Sequence, residues 1–246
     1  MVSLPEPLDG LIGMLEASAV TNFFGAPGTG KTNVCLLAAY NCIKEGGVVA
    51  YIDTEGGFSK ERFRQILGGE NIEKFLDKII LLEPKNFEEQ AKAVRSVEKI
   101  KCDLVILDSS VALYRLEHAE LKSGKALYVS PQENISAQAR KYSPEISEMN
   151  REMSKQLAFL SSLARERKIP VIITAHTYKN WETGDNEIVG GDPLKYWSKT
   201  MVFIEKTSRT GERKATITKH RSQPEGKSVK FEIVEDGIKP SGFRIF

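Results

Sequence analysis

The 246-residue chain has little cysteine: Cys35, Cys42 and Cys102 are the only three, with no C-x-x-C pair. That excludes a disulfide-stapled scaffold and the common zinc spacings. Cys35 and Cys42 are seven apart on an expected helix and share a face, which reads as core packing in a reduced compartment. No apolar run approaches the eighteen or so residues of a membrane span. Residues 1–18 lack a basic stretch of the signal-peptide kind and carry Pro5, Glu6, Pro7, Asp9 and Glu16. Neither sign of charge dominates: 35 Lys and Arg against 33 Asp and Glu leave a net +2, too mild to recruit nucleic acid by bulk charge. A nucleic-acid surface would have to be local. No repeat or low-complexity segment is present. These absences point to a cytoplasmic protein without a membrane partner. Hydrophobic residues make up 41%, enough for one α/β domain to bury a core.

What is present centres on Gly25-Ala26-Pro27-Gly28-Thr29-Gly30-Lys31-Thr32, which fits the phosphate-binding loop G-x-x-x-x-G-K-[ST]. Ala19–Phe24 before it reads as a buried strand, and Asn33–Lys44 after it as a helix. Gly28 and Gly30 let the backbone curl so that its N–H groups converge. The helix N-terminus adds partial positive charge. The loop residues from Gly25 to Asn33 are therefore expected to bind a nucleotide, ATP, with Lys31 on the β- and γ-phosphates and Thr32 on Mg²⁺.

The remaining pattern alternates buried strands with amphipathic helices. Strands are expected at Val48–Asp53, Lys78–Leu82, Leu104–Asp108 and from Ile169 through Thr174, the last ending at Ala175-His176. A brief helix over Leu8–Leu15 is expected to pack under the first strand. Ser59 reads as the cap of another helix, Asn86–Lys99 as an amphipathic one, and Pro144–Lys168 as a long one with a Met-rich core stripe. Residues 116–143 show no sustained period and read as a long loop. Thr177–Asn186 reads as a second, shorter loop. Met201–Lys206, Lys214–Lys219 and Val229–Val234 read as antiparallel hairpin strands. The fold class is α/β: a mostly parallel twisted sheet flanked by helices, with C-terminal antiparallel strands.

Three strand ends supply chemistry beside the loop. Asp108, after four apolar residues, suits a Mg²⁺ ligand. Glu55, just past Asp53, would orient and deprotonate an attacking water. Asp53 itself reads as structural. His176 ends the fifth strand and would either touch the γ-phosphate or serve as a hydrogen-bonded structural residue. Lys219 and Arg221 end a C-terminal strand. They read either as a trans-acting cationic finger toward a nucleotide on a neighbouring subunit or as a solvated, charge-protected edge. Tyr178, Lys179 and Trp181 interleave aromatic and basic groups, and Arg140 and Lys141 do so more loosely. Both sets are expected either to contact single-stranded DNA or to be plain surface.

Longer motifs then point to a family. Asp53-Thr54-Glu55-Gly56-Gly57-Phe58-Ser59-Lys60-Glu61-Arg62 resembles the I-D-T-E-G-x-F-x-x-E-R signature of the RecA-type recombinases. Val105-Ile106-Leu107-Asp108-Ser109 with Tyr114-Arg115, and Pro224-Glu225-Gly226 with Glu235-Asp236-Gly237-Ile238, resemble further segments of the archaeal RadA/RadB group. The resemblance spans nearly the whole chain. It implies a RecA-like ATPase core binding ATP, Mg²⁺ and DNA, with weak hydrolysis. Residues 1–18 hold no helix-hairpin-helix domain and no Phe-x-x-Ala polymerisation segment, so the length fits the accessory RadB branch. That branch implies association with RadA recombinase and a Holliday junction resolvase, and a homo-oligomer remains open. Where the recombinases place a Gln, this chain has His176. A KaiC-like signalling ATPase acting on protein partners is the alternative, and the Lys219-x-Arg221 pair suits it, since that resemblance implies such a pair across a subunit boundary.

Overall fold

The computed structural model of the chain describes residues 2–68, 71–126, 144–179, 184 and 186–242. A ten-stranded sheet runs through it. Six strands form its parallel part: β1 (Val20–Gly25), β2 (Val49–Asp53), β3 (Ile79–Leu82), β4 (Leu104–Asp108), β5 (Val171–Lys179) and β7 (Thr200–Lys206). β8 (Glu212–Lys219), β9 (Ser228–Val234) and β10 (Gly237–Pro240) extend it antiparallel, and β6 (Asn186–Ile188) forms a hairpin with β5. The order β10-β9-β8-β7-β1-β5-β4-β2-β3 puts β1 and its loop at the centre. The expected fold class is thus observed. β10 was not foreseen, because its four residues end in Pro240 and carry no alternating pattern.

Side-chain alternation along the strands builds two cores. Val49 and Tyr51, Leu104 and Ile106, and Ile172 face α1 (Leu8–Ile12), α2 (Lys31–Lys44) and α3 (Lys60–Leu67). Ala50 and Ile52, Val105 and Leu107, and Val171 and Ile173 face α5 (Phe87–Ser96), α6 (Ala112–Ala126), α7 (Pro144–Arg167) and α8 (Asp192–Trp197). The same period of two aims Asp53, Asp108, Thr174 and His176 toward α2, where the phosphate loop lies. Fully buried Tyr51, Phe63 and Phe231 anchor this face, each contributing about 1.5–3 kcal/mol of burial energy. Cys35 and Cys42 are buried on α2, as their spacing implied.

Several expectations are corrected. The N-terminal helix is shorter than Leu8–Leu15 and packs chiefly on β8 and β9 rather than under β1. Residues 116–126 are helical, the continuation of α6, and not loop. Leu113 and Tyr114 bury its first turn, and Leu, Glu, Lys and Ala carry the helix onward. Residues 127–143, including Arg140 and Lys141, lie outside the described set. β5 does not end at His176: it runs to Lys179 and pairs with β6, Tyr178 opposite Glu187 and Lys179 opposite Asn186. The aromatic–basic stretch is therefore partly hairpin strand. Thr177 and Ile188, buried opposite each other, hold that hairpin down. A short helix α4 (Ile72–Leu76) precedes β3.

Candidate functional site

The phosphate loop begins as the last residue of β1 and ends as α2 starts. Gly28 and Gly30 adopt φ of 70° and 99°, in the left-handed region open to glycine. A β-carbon on Gly30 would lie 2.6 Å from Ile233 Cδ1, so that side chain would have to move aside, and the φ of 99° would strain any other residue. Thr29 ties the curl by donating its hydroxyl to Ala26 O at 2.9 Å. The loop frames a cavity of about 400 Å³ lined by Lys31, Thr32, Glu55, Asp108 and His176 among others. All five residues expected to carry chemistry from the loop, the two acids and the His thus meet in one place.

Lys31 is buried and donates to Gly25 O at 2.9 Å and Ala26 O at 3.0 Å. Its third direction meets His176 Nδ1 at 3.4 Å. Desolvation lowers its pKa, opposed by Asp108 and Glu55. An ammonium only donates, so Nδ1 accepts. His176 Nε2 then carries the proton and donates to Glu55 Oε1 at 2.6 Å. That hydrogen bond is the leading reason the Glu55 carboxyl sits below its ordinary range. The chain Lys31–His176–Glu55 therefore fixes one imidazole tautomer.

Asp108 is buried at the end of β4. Thr174 donates to Oδ1 at 2.5 Å and Tyr51 to Oδ2 at 3.0 Å. Burial pushes its pKa up, and hydrogen bonds from Thr174, Thr32 and Tyr51 oppose the push. Asp53 is structural, as expected: its carboxylate accepts from the backbone N–H groups of Glu55, Gly57 and Phe58 at 3.1, 3.1 and 2.8 Å. This clamp sets the turn that presents Glu55.

The donor set fits a magnesium nucleotide. Thr32 and Asp108 supply hard oxygen atoms, Lys31 and the α2 N-terminus supply positive charge, and among the described residues the buried Asp108 forms no ion pair. No cluster of three or more His, Cys, Asp or Glu among the described residues would hold a metal alone. A cation here would share its shell with phosphates, as Mg²⁺ commonly does.

Arg62 stands in the sequence on the Ser59-capped helix and at the end of the family signature, with no site role expected of it. It lines the same cavity and donates to Asn33 Oδ1 at 2.7 Å, Val234 O at 2.7 Å and Glu235 O at 2.6 Å. Leu36 and Ile233 add apolar lining to the same cavity. The signal of Arg62 in the sequence was the E-R pair closing the D-T-E-G-G-F stretch.

The other expected residues lie elsewhere. Lys219 donates to Lys195 O at 2.5 Å, and Arg221 pairs with Glu16 of the same chain. Tyr178 is exposed and donates to Glu187 at 2.5 Å, and Lys179 is exposed at the end of β5. Trp181 lies outside the described residues.

A family profile described as Rad51 matches residues 6–241. The chain belongs to the Rad51 family. Among its relatives is the DNA repair and recombination protein RadB of Methanococcoides burtonii, 42% identical over 243 residues and 97% of each chain. The protein of the same description from Methanobrevibacter smithii is 36% identical, covering 94% of this chain and 92% of that one. A crystal structure described as the RadB recombinase aligns with TM-score 0.76 and 31% identity, covering 98% of this chain and all of that one. As a Rad51-family member the chain has the RecA-like fold, and the RadB branch is the part of the family these relatives share. No helix among the described residues is long and apolar enough to cross a membrane.

Proposed function

We propose that this Rad51-family chain is an ATP- and DNA-binding accessory protein of homologous recombination and DNA repair. ATP acts in it chiefly as a switch and is hydrolysed weakly. The observation that carries this reading is the convergence of Lys31, Thr32, Glu55, Asp108 and His176 on one cavity. The relatives' description as DNA repair and recombination proteins supplies the context.

In this reading Lys31 leaves its carbonyl partners for the β- and γ-phosphates. Thr32 and Asp108 would hold Mg²⁺, which would screen the phosphate charge. Glu55 accepts the proton of the attacking water, and His176 senses whether a γ-phosphate is there. His176 lies three residues before Lys179 on one continuous strand, so a shift at the imidazole reaches the β5–β6 hairpin directly. Tyr178 and Lys179 on that hairpin, with Trp181, Arg140 and Lys141, contact single-stranded DNA through stacking and phosphate attraction. Lys219 and Arg221 would complete a nucleotide site across a subunit boundary once Arg221 exchanges Glu16 for a phosphate. The protein partners are RadA recombinase and a Holliday junction resolvase, whose action this chain modulates in the cytoplasm.

Equilibrium binding of Mg-ATP to the wild type and to Lys31→Ala tests the nucleotide site. Binding by the wild type and a loss of at least about tenfold in the variant are expected. Equal binding by both removes the reading.

A further inference from the structure

The phosphate loop is gripped from behind by the C-terminal strands. At Gly25 a β-carbon would lie 2.0 Å from Ile204 O of β7, and at Gly30 one would meet Ile233 of β9. Between these two points two cations converge on Gly28. Lys206 Nζ stands 3.3 Å from where a Gly28 β-carbon would be, and Arg213 Nη2 donates to Gly28 O at 3.4 Å. Lys206 and Arg213 are direct cross-strand partners on β7 and β8. Like charges in that relation repel. The neighbouring couple, Glu205 and Lys214, pairs opposite charges at 3.7 Å. Among the described residues neither Lys206 nor Arg213 has an ion-pair partner. Arg213 also donates to Glu212 O at 3.0 Å, and its buried Nε has no acceptor. Neither cation lines the nucleotide cavity.

We propose that Arg213, with Lys206 beside it, is a positioning residue for the phosphate loop. The argument rests on the proposed nucleotide site and on peptide geometry. In a planar trans peptide the carbonyl of one residue and the N–H of the next point in opposite directions. Holding the Gly28 carbonyl outward on the guanidinium turns the Thr29 N–H inward, into the concavity that takes phosphate. Gly28 on one side of this plane tolerates the change in ψ that a flip requires, and on the other side the Thr29 hydroxyl bond to Ala26 O and the guanidinium act together against it. The like-charge pair is the sequence's cost for that hold. The β7–β8 hairpin thereby becomes a back wall whose displacement would alter phosphate affinity.

The test compares Mg-ATP dissociation constants of the wild type, Arg213→Ala, Arg213→Lys and Lys206→Ala at low and high salt, with thermal midpoints and Thr29 amide exchange in the nucleotide-free protein. Arg213→Ala is expected to weaken binding about tenfold and to speed Thr29 exchange, with an unchanged midpoint. Arg213→Lys keeps the charge but not the planar fork and is expected to retain most of the loss at both salt concentrations. Lys206→Ala is expected to weaken binding about twofold. Wild-type affinity in Arg213→Ala, or full recovery in Arg213→Lys, overturns the proposal. Should Arg213→Ala not fold, the Arg213→Lys comparison decides alone. A wild type that binds no Mg-ATP overturns the nucleotide site, and this inference with it. A wild type that binds alongside variants that bind equally overturns only the inference.

Discussion

His176 Nε2 donates to Glu55 Oε1 at 2.6 Å while Nδ1 accepts from the Lys31 ammonium. One imidazole thereby contacts both the proposed phosphate-binding cation and the expected general base. Glu55→Gln keeps an oxygen acceptor for Nε2 and removes only the basicity. Phosphate release by that variant should fall about a hundredfold or more, with nucleotide affinity little changed. An unaltered rate would remove Glu55 from the chemistry.

The same hydrogen bond makes a prediction in pH. Glu55 is held below the ordinary carboxylate range, chiefly by His176. A depressed carboxyl contributes stability above its unfolded pKa of about 4.3 and loses it as pH falls through the folded value. Denaturant titration should show the wild type more stable than Glu55→Gln at pH 5.5. The difference should shrink toward pH 3. A gap independent of pH in that window contradicts the assignment.

Asp108 makes the opposite case. Burial raises its pKa, so the ionised form weakens the nucleotide-free fold at neutral pH. Asp108→Asn keeps polar contacts to Thr174 and Tyr51 while removing the charge. Its thermal midpoint without nucleotide should rise, by about 2–4 °C for each kcal/mol gained, and Mg²⁺-dependent nucleotide binding should disappear. A lower midpoint with intact Mg²⁺ dependence would show Asp108 to be structural only.

The cysteines test the core. Burial pushes Cys42 up to about 12 and raises Cys35 and Cys102. The thiolate is the reactive form. Alkylation of the native protein at pH 8 should run about a thousandfold slower than alkylation of the unfolded chain, as mass spectrometry would detect. Because the folded thiol pKa is raised, its contribution to stability holds below about pH 8.5 and declines above it. Rapid labelling of Cys42 under native conditions would contradict its burial.

Much of this site was legible because chemistry there is bound to short, local patterns. Gly28, Gly30, Lys31 and Thr32 announce themselves by spacing, and Asp108 and Glu55 by standing at the ends of apolar runs. What escaped depends on contacts distant in sequence. Arg62 meets Asn33 and the carbonyls of Val234 and Glu235, partners no local period reveals. β5 runs past its apolar stretch because β6 offers Tyr178 and Lys179 pairing partners, and tertiary pairing outweighs a polar composition. α6 extends through residues 116–126, read as loop, because helix propensity persists there without a clean apolar stripe. Lys206 and Arg213 carry no local signal, and only the pairing of β7 with β8 sets them both against Gly28.

Replacing His176 should separate binding from signalling. His176→Ala frees both Lys31 and Glu55 and should leave Mg-ATP affinity equal to or above the wild-type value, because Lys31 no longer has to leave the imidazole. It should also abolish any effect of ATP on DNA affinity. An undiminished ATP effect would place the sensor elsewhere.

The central claim, a nucleotide switch governing DNA affinity, meets its most direct test in single-stranded DNA binding by the full chain. The measurement is made with and without Mg-ATP across a salt series, beside Lys31→Ala. The account predicts that Mg-ATP changes wild-type affinity at every salt concentration, that Lys31→Ala shows no such change, and that binding weakens linearly in log salt. Wild-type affinity that is the same with and without Mg-ATP would contradict it.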